Sequence, residues 1–138
     1  MVKAALVVTH ALALALLVPG PALAQRALAE LACTPTKTDF IYHCVIHLTR
    51  GGQALTGARI TVGADMPSMP MAHNVRPVEA TPGKIPGEYQ AMLDLEMPGE
   101  WAVKLRLAGP VRDQLILLYD FDDKGAHPVT RSGRPHRK

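Results

Sequence analysis

The chain has 138 residues, with 15 Lys and Arg against 12 Asp and Glu and a formal net charge of +3. That length bounds it to one ordinary domain, and two cysteines are too few for a dense disulfide scaffold. The surplus positive charge is local. Residues 25–121 carry nine basic against ten acidic side chains, and residues 122–138 five against two. The body therefore offers no sign of a basic face interleaved with aromatics, the kind that binds nucleic acid.

Residues 1–24 read as a cleavable secretory signal. Lys3 supplies the positive start, and residues 4–18 are apolar apart from Thr9 and His10. Pro19, Gly20 and Pro21 break the run, and Ala22-Leu23-Ala24 gives the small-x-small pattern that signal peptidase accepts. The apolar stretch is shorter than the roughly 20 residues of a membrane-spanning helix. Cleavage after Ala24 would leave 114 of the 138 residues, with no second long apolar segment and hence no transmembrane segment. The expected location is the periplasm.

Residues 26–32 can form a helical turn. Cys33 and Cys44 follow, and their even number in an oxidising compartment favours one disulfide. A thiolate metal pair or a redox pair is the alternative, but the spacing lacks C-x-x-C geometry.

Strand signals then succeed one another. Phe40, Tyr42, Cys44, Ile46 and Leu48 alternate with polar residues, as do Ala58, Ile60 and Val62. Pro77 puts a short strand over residues 75–80 at a sheet edge. Tyr89, Ala91, Leu93 and Leu95 form the next alternation, and Trp101, Val103, Leu105 and Leu107 another. Residues 115–121 are the most apolar run and are expected to be central. Gly/Pro turns separate these segments. Six or seven short strands at this spacing define an all-β fold, an immunoglobulin-like antiparallel β-sandwich over residues 25–122. Residues 123–138 are expected to be a disordered basic tail.

The segment Asp65-Met66-Pro67-Ser68-Met69-Pro70-Met71-Ala72-His73 stands apart. Its two prolines exclude a helix. In an extended chain, Met69, Met71 and His73 share one side, with Met66 on the approach. Thioether sulfur is soft and needs no deprotonation, so it selects Cu(I), and an imidazole beside it completes a sensible site. Zinc prefers Cys, His and carboxylate. A Pro/Met loop that only caps the sandwich is the competing account. His43 and His47 lie about 13 Å apart along one strand and cannot chelate one ion together.

Four motifs carry a family resemblance. They are Gly57-Ala58-Arg59-Ile60-Thr61-Val62, the Met66-Pro67-x-Met69-Pro70-Met71 loop, Pro86-Gly87-Glu88-Tyr89 and Met97-Pro98-Gly99-Glu100-Trp101. In that order they resemble the YtkA-like/FixH-like domain. The resemblance implies an immunoglobulin-like sandwich of the bacterial envelope, linked to copper handling or cytochrome oxidase assembly, and no enzymatic activity. Carried over by position, it makes Met69, Met71 and His73 the primary ligands and Met66 an alternative. Met97 either approaches the loop or packs in the core. Family members commonly have glycine where this chain has Pro70, and FixH-type proteins keep an N-terminal anchor. The chain also lacks G-x-S-x-G, H-E-x-x-H and a phosphate-binding glycine loop. The expected function is that of an exported Cu(I) carrier or buffer, serving an acceptor such as an oxidase subunit or an efflux component. The alternative is a metal-free module that docks on an envelope protein through its Met/Pro loop.

Overall fold

A computed structural model describes residues 25–130. The expected signal and the end of the expected tail, residues 131–138, lie outside the described residues. No helix among those described is long and apolar enough to cross a membrane.

All elements among the described residues are strands. They are β1 (Ala27–Pro35), β2 (Ile41–Arg50), β3 (Gln53–Ala54), β4 (Ile60–Asp65), β5 (Asn74–Glu79), β6 (Thr81–Pro82), β7 (Glu88–Asp94), β8 (Gly99–Ala108), β9 (Arg112–Asp122) and β10 (Gly125–Pro128). One sheet has the order β1-β2-β7-β6, with β3 paired to β2. The other runs β10-β9-β8-β4-β5, and every pairing is antiparallel. This is the A-B-E-D and G-F-C-C′ arrangement of an immunoglobulin-like sandwich, extended by β10.

Period-two patterning builds the core. Tyr42, Cys44, Ile46 and Leu48 face inward from β2, and Trp101, Val103, Leu105 and Leu107 from β8. The three tyrosines of the chain give their hydroxyls to backbone groups. Tyr42 donates to the Asp122 carbonyl across the two sheets at 2.8 Å. Tyr89 donates to Leu55 O at 2.8 Å and accepts from Ala58 N at 3.0 Å. Tyr119 accepts from Leu31 N at 3.1 Å, again across the sheets. Each hydroxyl is thereby satisfied where burial would otherwise make it costly.

Four local expectations are corrected. Residues 26–32 form no helical turn but enter β1, because Ala27, Leu31 and Cys33 bury one side of an extended chain. The bond Cys33–Cys44 joins direct register partners of β1 and β2 and holds that strand in place. Phe40 does not continue the inward alternation. It sits in the turn before β2 with φ 62° and is 41% exposed. β9 is not fully central, since β10 pairs only with its last four residues and Ile116 faces solvent.

The fourth correction concerns the tail, which does not leave the sandwich at residue 123. Asp122 Oδ1 accepts from the backbone N–H of Lys124 at 2.8 Å and of Gly125 at 3.0 Å, turning the chain back as β10. The Lys124 bond is the main cause that holds the Asp122 carboxyl below the usual range, and His127 adds to it.

Candidate functional site

Four connections meet at one end of the sandwich, namely β1–β2, β4–β5, β7–β8 and β9–β10. The Met/Pro segment is the β4–β5 connection. It is folded as two successive turns, with Met69 N–H donating to Met66 O at 3.1 Å and Ala72 N–H to Met69 O at 3.2 Å. Pro67 and Pro70 each occupy the second position of a turn, where a fixed φ near −65° fits. The loop is therefore not extended, and residues two apart do not line up along one side as expected.

The second turn has a consequence at Met71. Its φ is 79°, in the left-handed region that the third position of a type II turn demands and that glycine normally fills. Holding an L side chain there costs about 1 kcal/mol or more. The side chain gains no burial in return, because Met71 is 90% exposed. Met71→Gly is expected to relieve that cost while adding flexibility to the unfolded chain. Its net effect in urea unfolding should lie between zero and about +1 kcal/mol of stability. A destabilisation beyond about 1 kcal/mol would show that the thioether makes a structural contact.

The predicted ligands separate into two groups. Met69, at 39% exposure, and Met71 are open to solvent, and the His73 side chain is one quarter exposed. Met66 is only 5% exposed and belongs to the core. It continues the inward phase of Ala58, Ile60, Val62 and Ala64. A Cβ on Gly99 would meet its Cε at 3.2 Å, so Met66 is wedged under the start of β8. Met97 is half-buried and packs against the core, and its carbonyl accepts from Trp101 Nε1–H at 3.2 Å. Trp101 itself is fully buried.

Glu96 is a functional candidate that sequence reasoning missed. Glu96 follows β7, and its Oε2 lies 2.8 Å from His73 Nδ1. A carboxylate only accepts, so the ring nitrogen must carry the proton. In the neutral ring Nε2 then carries the free lone pair, in the tautomer that metal-ligating histidines adopt when a carboxylate orients them. The contact crosses from the β7 sheet to the β5 sheet and spans 23 residues of sequence, so no local pattern announces it. The base of the loop is held by an ion pair between Asp65 and Lys104.

Two other described histidines, His43 and His127, are engaged elsewhere. His43 Nε2 lies 3.3 Å from Gln90 Oε1, and His127 Nε2 lies 3.1 Å from both Asp122 oxygens. Among the described residues, no group of three or more His, Cys, Asp or Glu side chains converges as a metal site. Both cysteines are bonded to each other and are out of play as ligands. Acidic charge dominates this end, where Asp39, Asp94, Glu96, Asp122 and Asp123 outnumber Lys37 and Lys124. Tyr42 feels it. Burial is the main cause that pushes its phenol above 10, and the charges of Asp122 and Asp123 add to the rise.

These features define a small two-sheet sandwich whose candidate site is built on the loops of one end. The YtkA-like family model matches residues 34–106, and the chain belongs to that family. The matched region contains the Met/Pro loop, His73, Glu96 and Trp101. Comparison with curated proteins and with solved structures returned no match.

Proposed function

We propose that the protein is an exported, periplasmic copper carrier or buffer that holds Cu(I) on the Met/Pro loop. The observation that carries this reading is the His73–Glu96 contact, which presents an oriented imidazole lone pair beside a loop rich in exposed thioethers. Met69 and Met71 are the soft donors and His73 the third ligand. Glu96 is a positioning residue. Met66 is a core residue, and Met97 supports the β7–β8 turn.

The chemistry follows from the donors. Thioethers bind without losing a proton and stay available where thiols oxidise. The acidic end of the domain favours approach of a cation. Exposure of Met71 leaves one donor free to move first to an acceptor, so that handover proceeds by ligand exchange rather than by opening the fold.

Anaerobic titration of residues 25–138 with Cu(I) against a chromophoric chelator tests this. One equivalent is expected. Met71→Ala together with His73→Ala should abolish competition while the far-ultraviolet dichroism stays unchanged. Glu96→Gln should keep the stoichiometry and weaken affinity by about 10- to 100-fold. No competition by the parent protein would overturn the proposal and return the loop to a metal-free docking role.

A further inference from the structure

Charge in the described residues is divided lengthwise. Opposite the acidic loop end, the strand registers gather Arg26, Arg50, Arg59, Lys84, Arg106 and Arg112 against Glu30, Glu79, Glu88 and Asp113. All six basic residues are exposed. Arg26 pairs with Asp113, and the Glu88 carboxylate is turned onto the backbone N–H of Lys84. At the tip of this end Ile85 is 56% exposed, between Lys84 and Pro86.

Both ends of the described chain point the same way. Gln25 sits here, its carbonyl accepting from Arg50 Nε at 2.8 Å. β10 runs back from the acidic end, and Val129 N–H donates to Leu118 O at 3.0 Å, so the chain leaves toward the basic end. The sequence beyond Thr130 adds Arg131, Arg134, Arg137 and Lys138 and no carboxylate side chain.

We infer that the basic end is the face with which the domain meets an anionic phospholipid bilayer. An exposed apolar residue next to a lysine, at an end richer in cations than in carboxylates, suits the boundary between headgroups and acyl chains. An acidic protein would use the cations but has no need of the bare Ile85 tip. The body of the domain carries slightly more acidic than basic groups, so bulk attraction does not suffice and only one orientation is favourable. The Met/Pro loop then stands roughly 30 Å from the surface, the length of β8.

The test is co-sedimentation of residues 25–138, free of the apolar leader, with two kinds of vesicle. One is phosphatidylcholine containing about one third phosphatidylglycerol, and the other is phosphatidylcholine alone. Binding is expected to the anionic vesicles only, and to fall as salt rises. Each Lys or Arg near the surface is worth roughly fivefold in partition. Arg59→Glu with Lys84→Glu should therefore cost at least about 25-fold, and Ile85→Asp should weaken binding further. Lys37→Glu, at the opposite end, should change nothing.

Equal binding to both vesicles, or indifference to the Arg59/Lys84 reversal in a folded variant, would overturn the inference. So would loss of all binding on truncation after Thr130 with no effect of the reversal, which would assign binding to the tail alone. Retention on polyaspartate without vesicle binding would reassign the face to an acidic protein. None of these outcomes depends on copper.

Discussion

Trp101→Ala is expected to destabilise the domain by about 3–5 kcal/mol, a large share of the roughly 5–15 kcal/mol available to a domain of this size. Trp101 is fully buried between the sheets and heads the inward row of β8. Removing it leaves a cavity that the surrounding strands, locked in register on both sides of β8, cannot collapse to fill. It also deprives the Met97 carbonyl of its indole donor. The two effects separate in Trp101→Phe, which keeps most of the volume and loses the hydrogen bond, for about 1 kcal/mol. Urea unfolding followed by far-ultraviolet dichroism is the right measurement, since Trp101 is the single tryptophan and its removal deletes the fluorescence signal. A loss below about 1 kcal/mol for the alanine variant would contradict a packed core at this point. The β7–β8 turn carries Glu96 beside Met97, so a loosened turn should also loosen the hold on His73.

The second large effect concerns Cys33 and Cys44. Replacing both by Ala should cost about 2–3 kcal/mol, the loop-closure value for a bond across 11 residues of sequence. The ladder between β1 and β2 already closes the same loop in the native state, so the loss falls on the unfolded state and on the strand most exposed to detachment. β1 lies at a sheet edge and is held to the other sheet by the Tyr119 hydroxyl and by the Arg26–Asp113 pair. Hydrogen exchange should accordingly quicken first in residues 27–35. Uniform quickening across all strands would show that β1 does not open separately.

Much of the fold is legible because the long inner strands alternate cleanly. The inward rows of β2, β7 and β8 can be read directly from the letters, and Pro77 marked β5 as an edge. β1 was hidden because its inward residues are small. Ala27 and Ala29 ahead of Leu31 satisfy a helical spacing as well as a strand one. β10 was hidden for another reason. Four residues carry no periodicity, and the Asp122 side chain that turns the chain back is an ordinary polar residue in sequence.

The site divides in the same manner. Its location on a Met/Pro loop was plain. The burial of Met66 is also written in the sequence, in the unbroken alternation from Ala58 onward. The two Pro-led turns of the loop were written as Met-Pro-x-Met followed by Met-Pro-Met-Ala, a turn signal that an extended reading passes over. The His73–Glu96 contact had no sequence signature, because it depends on two loops from different sheets arriving at one place.

The outer border of β5 has a consequence for how these molecules behave in company. A sandwich leaves unpaired backbone groups along its margins, and a flat margin invites a strand from another chain to add on. Pro77 removes one amide donor from the β5 margin, and the register break between Val62 and Ala64 bends the neighbouring ladder. An incoming strand therefore finds an interrupted template on the side where β5 closes the sheet, and crowding in a concentrated compartment does not convert that side into a nucleus for aggregation.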